Sequence, residues 1–167
     1  LWIEADDFLE TPVPKYKRLY PDGPECRLKG AYLIKCTGCV TDENGNVTEV
    51  LATYDPESRG GDPADGRKVK GTIHWLSAKY ARPTTLMLYD RLFNIENTAD
   101  VPEGKTYLDF LNENSLQKIE GAMVEPSLES AEGGERFQFV RFGYFCKDTK
   151  NENTYNQVVS LKDNAKK

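Results

Sequence analysis

Residues 14–35 gather Lys15, Lys17, Arg18, Arg27, Lys29 and Lys35 against only Asp22 and Glu25, so six cations face two anions and the local charge is +4. Ammonium and guanidinium groups at that density can hold phosphates by displacing counterions. An arginine fork can also donate twice to one planar pair of acceptors. The alternative is a solvated charged face, the usual reading of a charge run. A second basic knot, Arg67, Lys68 and Lys70, sits further along, while acidic residues collect between 96 and 135. The net charge of −5 argues against a surface that binds polyanions everywhere. Other reactive residue types are sparse. Cys36 and Cys39 form a C-x-x-C, which can be a redox pair or half of a zinc site. With one histidine in the chain, His74, and no second C-x-x-C, the four cysteines read as buried or edge thiols. The carboxylate pair Asp6-Asp7 has no nucleophile or metal partner beside it in sequence.

The elements that must position these groups read as strands. Tyr, Phe and Val are plentiful and turn signals recur at short intervals, which favours an all-β chain of 167 residues over alternating helices and strands. Residues 31–35 and 47–54 flank Asn44-Gly45, a pair suited to a type I′ hairpin turn. Residues 55–66, with two prolines and three glycines, predict a long exposed connection. Strands are expected over 69–78 and 84–93, with Pro83 punctuating the segment between them. Short amphipathic turns are expected over 106–116 and 126–131. Alternation over 133–146 predicts one half-buried strand that puts Gln138 and Arg141 on opposite faces. Both could face one ligand only if that strand bulges or ends near Gly143. A last strand covers 158–161, and the lysine-ended tail is expected to fray. No apolar run approaches the roughly 18 to 20 residues that span a bilayer. The opening LWIEADDFLE has neither the basic lead nor the apolar block of a signal peptide, so the chain reads as cytoplasmic.

Several ordered motifs carry a resemblance: DPADGRKVKG at 62–71, IHW at 73–75, LYDRLF at 88–93, KYKRL at 15–19, AYLIK at 31–35, EPSL at 125–128, FQF at 137–139 and GYF at 143–145. Together they resemble the C-terminal anticodon-binding region of class I glutaminyl-tRNA synthetases along nearly the whole chain. The resemblance implies two small antiparallel β-barrels, the distal one inserted into the strand path of the proximal one. Residues 1–23 and 93–167 would be proximal and 24–92 distal. The chain would begin at an internal proximal strand, leaving an earlier strand absent and a sheet edge unpaired.

The same resemblance assigns roles. Lys17 and Arg18 match positions contacting the third anticodon base and its backbone. Lys15 falls where relatives carry glutamine and is assigned to phosphate. Tyr16 could stack on a base, but reads better as a partly buried anchor. Arg27 and Lys29 match positions facing the first base. Gln138 matches a glutamine that reads the middle base, its amide offering the donor and acceptor that uracil needs, and Arg141 an arginine near the third. The loop at 65–70 matches no base-reading position; Gly66 and Gly71 are expected to fix a hairpin and its cations to stay solvated. Trp75, Tyr89 and Phe93 are expected to be core.

HIGH-like and KMSKS-like nucleotide loops are absent, with no Met-Ser-Lys around Met87 or Met123. The chain is therefore expected to be non-catalytic, with no cofactor of its own. ATP and Mg would belong to a parent glutamine–tRNA ligase, whose N-terminal catalytic domain and glutamine-accepting tRNA are the implied partners. The alternatives are the anticodon-binding region of a glutamyl-tRNA synthetase, a ribosomal-protein-like RNA-binding barrel, and a protein-interaction barrel.

Overall fold

The computed structural model describes residues 1–61, 63 and 65–161, in two compact units, Leu1–Lys79 and Tyr80–Lys167. Each is built around its own sheet, as the all-β reading expects. The signature residues Asp62 and Ala64 and the tail 162–167, on which the expectation of fraying falls, lie outside the described residues.

In the first unit the order is β3-β2-β1-β4, with β1 Cys26–Leu28, β2 Leu33–Thr41, β3 Val47–Asp55 and β4 Gly71–Ile73. Cys26 and Leu28 point inward from β1 while Arg27 between them is half-exposed, the period-2 pattern of a strand with one buried face. β1 pairs antiparallel with β2 and parallel with β4. Phe8, Leu19, Cys26, Leu28, Cys36 and Ile73 form the core. The N-terminal segment joins it through a Trp2–Leu76 bridge, whose two backbone hydrogen bonds measure 2.8 and 2.9 Å.

The 31–54 hairpin exists, but its turn differs from the expected one. Gly45 alone of the central pair has positive φ, +82°, and the Gly45 amide donates to Asp42 O at 3.0 Å. This is a three-residue loop closed by a glycine bulge. The Asp42 carboxylate accepts from the backbone N–H of Asn44 and Asn46 and holds that form.

The second unit runs β6-β5-β9-β8-β7, with β5 Arg82–Tyr89, β6 Leu116–Val124, β7 Arg136–Phe139, β8 Gly143–Lys147 and β9 Thr154–Ser160. Phe145 and Tyr155 are buried against Leu86, and the Tyr155 hydroxyl donates to Leu128 O at 3.0 Å, tying the 3-10 helix Pro126–Ser130 to the sheet. The 106–116 expectation resolves to one 3-10 turn, Tyr107–Phe110, whose Asp109 carboxylate accepts the Thr106 amide at 2.7 Å.

Several expectations are corrected. Among the described residues neither ladder closes on itself, so the units are two sheets with edges rather than closed barrels. The 69–78 strand shortens to three residues. Pro83 lies inside β5, near its start, where β9 does not reach, so its missing N–H costs no ladder bond on that side. The single strand at 133–146 is a hairpin, β7 and β8. Tyr89 is 54% exposed, its hydroxyl donating to Asn156, whereas Trp75 and Phe93 are half-buried.

Candidate nucleic-acid interface

Three turns of related construction carry basic residues at their corners. In residues 13–16 the Tyr16 amide donates to Val13 O at 3.0 Å, Pro14 takes the second position, and Lys15 takes the third with φ +68°. In residues 139–142 the Phe142 amide donates to Phe139 O at 2.9 Å and Arg141 takes the third position with φ +67°. In residues 28–31 the Ala31 amide donates to Leu28 O at 2.8 Å, with Lys29 second and Gly30 third at φ +70°. A positive φ at the third position is the type II pattern and favours glycine. Lys15 and Arg141 adopt it at the cost of backbone strain, roughly 1 to 3 kcal/mol for a non-glycine residue. All three cations are exposed.

Arg18 and Arg27 are each held through Nη1. Arg18 Nη1 lies 3.1 Å from the fully buried Asp7 carboxylate and donates to Asp6 O at 3.1 Å. The Tyr16 hydroxyl donates to the same carbonyl at 2.8 Å, which fits the anchor reading, and burial pushes its ionisation upward. Asp6-Asp7, in the 3-10 helix Ala5–Asp7, thus forms the floor under the KYKR segment. Arg27, half-buried on β1, donates through Nη1 to Ser58 O at 3.3 Å and Ala31 O at 3.5 Å. Ser58 is itself buried, bonded to Leu33 N and Asp55 O. Nε and Nη2 of both arginines make no hydrogen bond among the described residues.

Arg67 contradicts the expectation of solvated loop cations. Its Nε and Nη2 meet both oxygens of Glu25, Nη2 also meets Asp55, and Nη1 meets Asp65 at 2.7 Å. Asp55 is held below the usual carboxylate range, chiefly by the Arg67 side chain. Asp65 is lowered too, first by the Arg67 backbone N–H. Nor does Gly71 turn a hairpin. A Cβ there would stand 2.1 Å from Lys17 O and 2.8 Å from Cys26 Sγ, so the residue is required by close approach of β4 to the KYKR segment.

In the second unit Gln138 is exposed on β7 directly opposite Tyr144 of β8, itself 45% exposed and opposite Val159 of β9. Arg141 stands at the tip of the same hairpin. Beneath the turn, the Phe145 ring stacks between Phe139 at 4.5 Å and Phe142 at 5.8 Å. The strand ends before Arg141, which meets the condition for escaping strict alternation. The period-2 spacing of Gly143, Tyr144 and Phe145 turns Tyr144 outward.

Lys15, Lys17, Arg18, Arg27 and Lys29 therefore belong to the first unit, and Gln138 and Arg141 to the second. All four cysteines are free, Cys26 and Cys36 buried, and burial lifts the Cys26 thiol to about 11, so it stays protonated near neutral pH. Among the described residues no three His, Cys, Asp or Glu side chains gather to hold a metal ion. No helix among them is long and apolar enough to cross a membrane.

Two family models, both described as "tRNA synthetases class I (E and Q), anti-codon binding domain", match residues 1–55 and 72–148. The chain is 45% identical over 99% of its length to a glutamine–tRNA ligase of Clostridium kluyveri, covering 30% of that protein. It is 48% identical to one of Vibrio parahaemolyticus and 44% to one of Pseudomonas putida, over 98% of this chain and 29% of each relative. The chain thus spans about 30% of the length of the curated relatives it matches.

Proposed function

Because the chain belongs to the anticodon-binding domains of the E and Q class I tRNA synthetases, we propose that it reads the anticodon of glutamine-accepting tRNA within a cytoplasmic glutamine–tRNA ligase. The observation that carries this reading is the half-used arginine fork. Arg18 and Arg27 are each steered through Nη1 by groups of their own unit, while Nε and Nη2 remain to donate in parallel to a base edge, O6 and N7 of the third-position guanine for Arg18 and the acceptors of the first-position pyrimidine for Arg27. An arginine whose rotamer is fixed beforehand loses less entropy on binding than a free one. Lys17 and Arg18 serve the third base and its backbone, Arg27 and Lys29 the first, and Lys15 a phosphate. Gln138 pairs with the middle base, with Arg141 near the third. Tyr144, facing outward opposite Gln138, supplies a surface on which an unstacked base can lie.

In this reading activation of glutamine with ATP and Mg takes place in the remainder of the longer protein. The chain contributes recognition.

The test is binding of the full-length protein to three RNAs: tRNA with a CUG or UUG anticodon, the same tRNA with a swapped anticodon, and an unrelated RNA. Discrimination against the swapped anticodon is expected. Arg18→Lys and Arg27→Lys keep the charge and lose the fork, so each is expected to lower cognate affinity by about 1 to 3 kcal/mol. Equal affinity of the unmodified protein for cognate and swapped tRNA would overturn the proposal.

A further inference from the structure

The loop at 65–70 matches no base-reading position and has no role in the base contacts. The structure nevertheless places it against a segment that has one. A groove of about 190 Å³ is lined by Lys17 and Glu25 from that segment and its continuation and by Arg67, Lys68, Lys70 and Gly71 from the loop and its end. The two sides are fixed relative to each other. Cys26 Sγ donates to Lys17 O at 3.4 Å, and Gly71 approaches the same carbonyl too closely for any side chain. Arg67 ties the loop to Glu25 and Asp55, 42 and 12 residues away in sequence.

The ion pairs also sort the charges. Glu25, Asp55 and Asp65 all turn to Arg67 and are neutralised in part by it. Lys17, Lys68 and Lys70 are exposed and make no ion pair among the described residues. Lys17, Arg67, Lys68 and Lys70 line the groove against one lining carboxylate, Glu25, and even with Asp55 and Asp65 counted beside Arg67 the cluster keeps a charge of +1. Because the anions are occupied by the guanidinium, the ammonium groups are what a ligand meets first. Flexible ammonium groups lining an open groove suit the diffuse charge of a phosphodiester backbone better than a planar base edge.

We propose that Lys68 and Lys70, together with Lys17, form a phosphate track that carries the RNA backbone away from the third anticodon position, adding affinity without sequence discrimination. The inference rests on the anticodon reading, because Lys17 is the shared end of both sites. It differs from that reading in what it controls. Base contacts set the ratio between cognate and swapped tRNA, whereas backbone contacts set the salt dependence of both alike.

The experiment measures binding of full-length protein to cognate and anticodon-swapped tRNA across a salt series, for the unmodified protein, Lys68→Ala/Lys70→Ala, Lys68→Arg/Lys70→Arg, and Lys150→Ala as a control in the second unit. For single-stranded RNA each lost phosphate contact lowers the log–log salt slope by about 0.7, so the double alanine variant is expected to lose about 1.4. The ratio between the two tRNAs should stay constant, the arginine pair should restore the slope, and Lys150→Ala should leave it unchanged. Removing exposed lysines without ion-pair partners should leave the melting curve in place. An unchanged slope in the double alanine variant overturns the track, and so does a changed cognate-to-swapped ratio with the slope intact. If the unmodified protein does not discriminate anticodons, the anticodon reading fails by itself, while the slope still decides whether the groove holds phosphate.

Discussion

The two units carry their candidate site residues on different supports. In the first, cations are held by counter-charges and carbonyls: Arg18 by Asp7, Arg27 by two backbone oxygens, Arg67 by three carboxylates. In the second, Gln138 and Arg141 ride on a hairpin whose turn rests on three stacked phenylalanines. Ion pairing orients a charge while leaving part of its donor set for a ligand, but it depends on pH and salt. Packing is indifferent to both and depends instead on filled volume. The two halves should therefore fail under different conditions, and both tryptophans, Trp2 and Trp75, lie in the first unit.

The largest expected effect tests the packed half. Phe145 is fully buried, and Phe145→Ala should cost about 3 to 5 kcal/mol, with the loss confined to the second unit. Circular dichroism should show an earlier melting transition while tryptophan fluorescence keeps its own. A fluorescence transition that shifts equally would break the contrast.

Acid tests the charged half. Asp55 and Asp65 titrate below their ordinary range in the folded state. A depressed folded value stabilises the protein above the unfolded value, about 3.9 for aspartate, and that contribution disappears as pH falls through the folded value. Tryptophan fluorescence should therefore change below about pH 4. Asp148, lowered to about 2 first by the Asn156 amide and then by backbone amides, should keep the β8–β9 turn protected from amide exchange to lower pH. Simultaneous loss of both signals would contradict the division.

The smallest effect has the opposite sign. Arg141→Gly relieves a left-handed residue and should stabilise the second unit by up to about 1 kcal/mol in a denaturant titration, while weakening tRNA binding. Destabilisation would show that the arginine contributes more to the turn than its strain removes.

Much of this arrangement was legible in the chain. Tyr-, Phe- and Val-rich runs between turn signals located β2, β3, β4, β5 and β9 in part but neither β1 nor β6, Asn44-Gly45 located a hairpin, and the KYKR and FQFVRF motifs located the outward polar groups. What could not be read depended on distance or on a side chain acting locally. Arg67 seemed free to be solvated because Glu25 lies 42 residues before it. The 133–146 hairpin resembled one strand because apolar residues continue through its turn, and no glycine occupies the strained position that Arg141 takes. Tyr89 sits at the end of β5, where alternation continues beyond what the core covers. The turn at Gly45 took its form from the Asp42 carboxylate, three residues upstream, a side-chain effect that dipeptide preferences do not register.

The parallel pairings have a consequence for the order of folding. β1 waits for β4, and β5, which pairs early with β6, meets β9 only near the end of the described chain, as the Thr84 hydroxyl bond to Asn153 O across 69 residues shows. Contacts that distant form late, after the loops between them have been closed. A ribosome making this protein therefore exposes one open flank of β5 for most of the time it takes to synthesise the second unit, when a chaperone or a neighbouring nascent chain could pair with it.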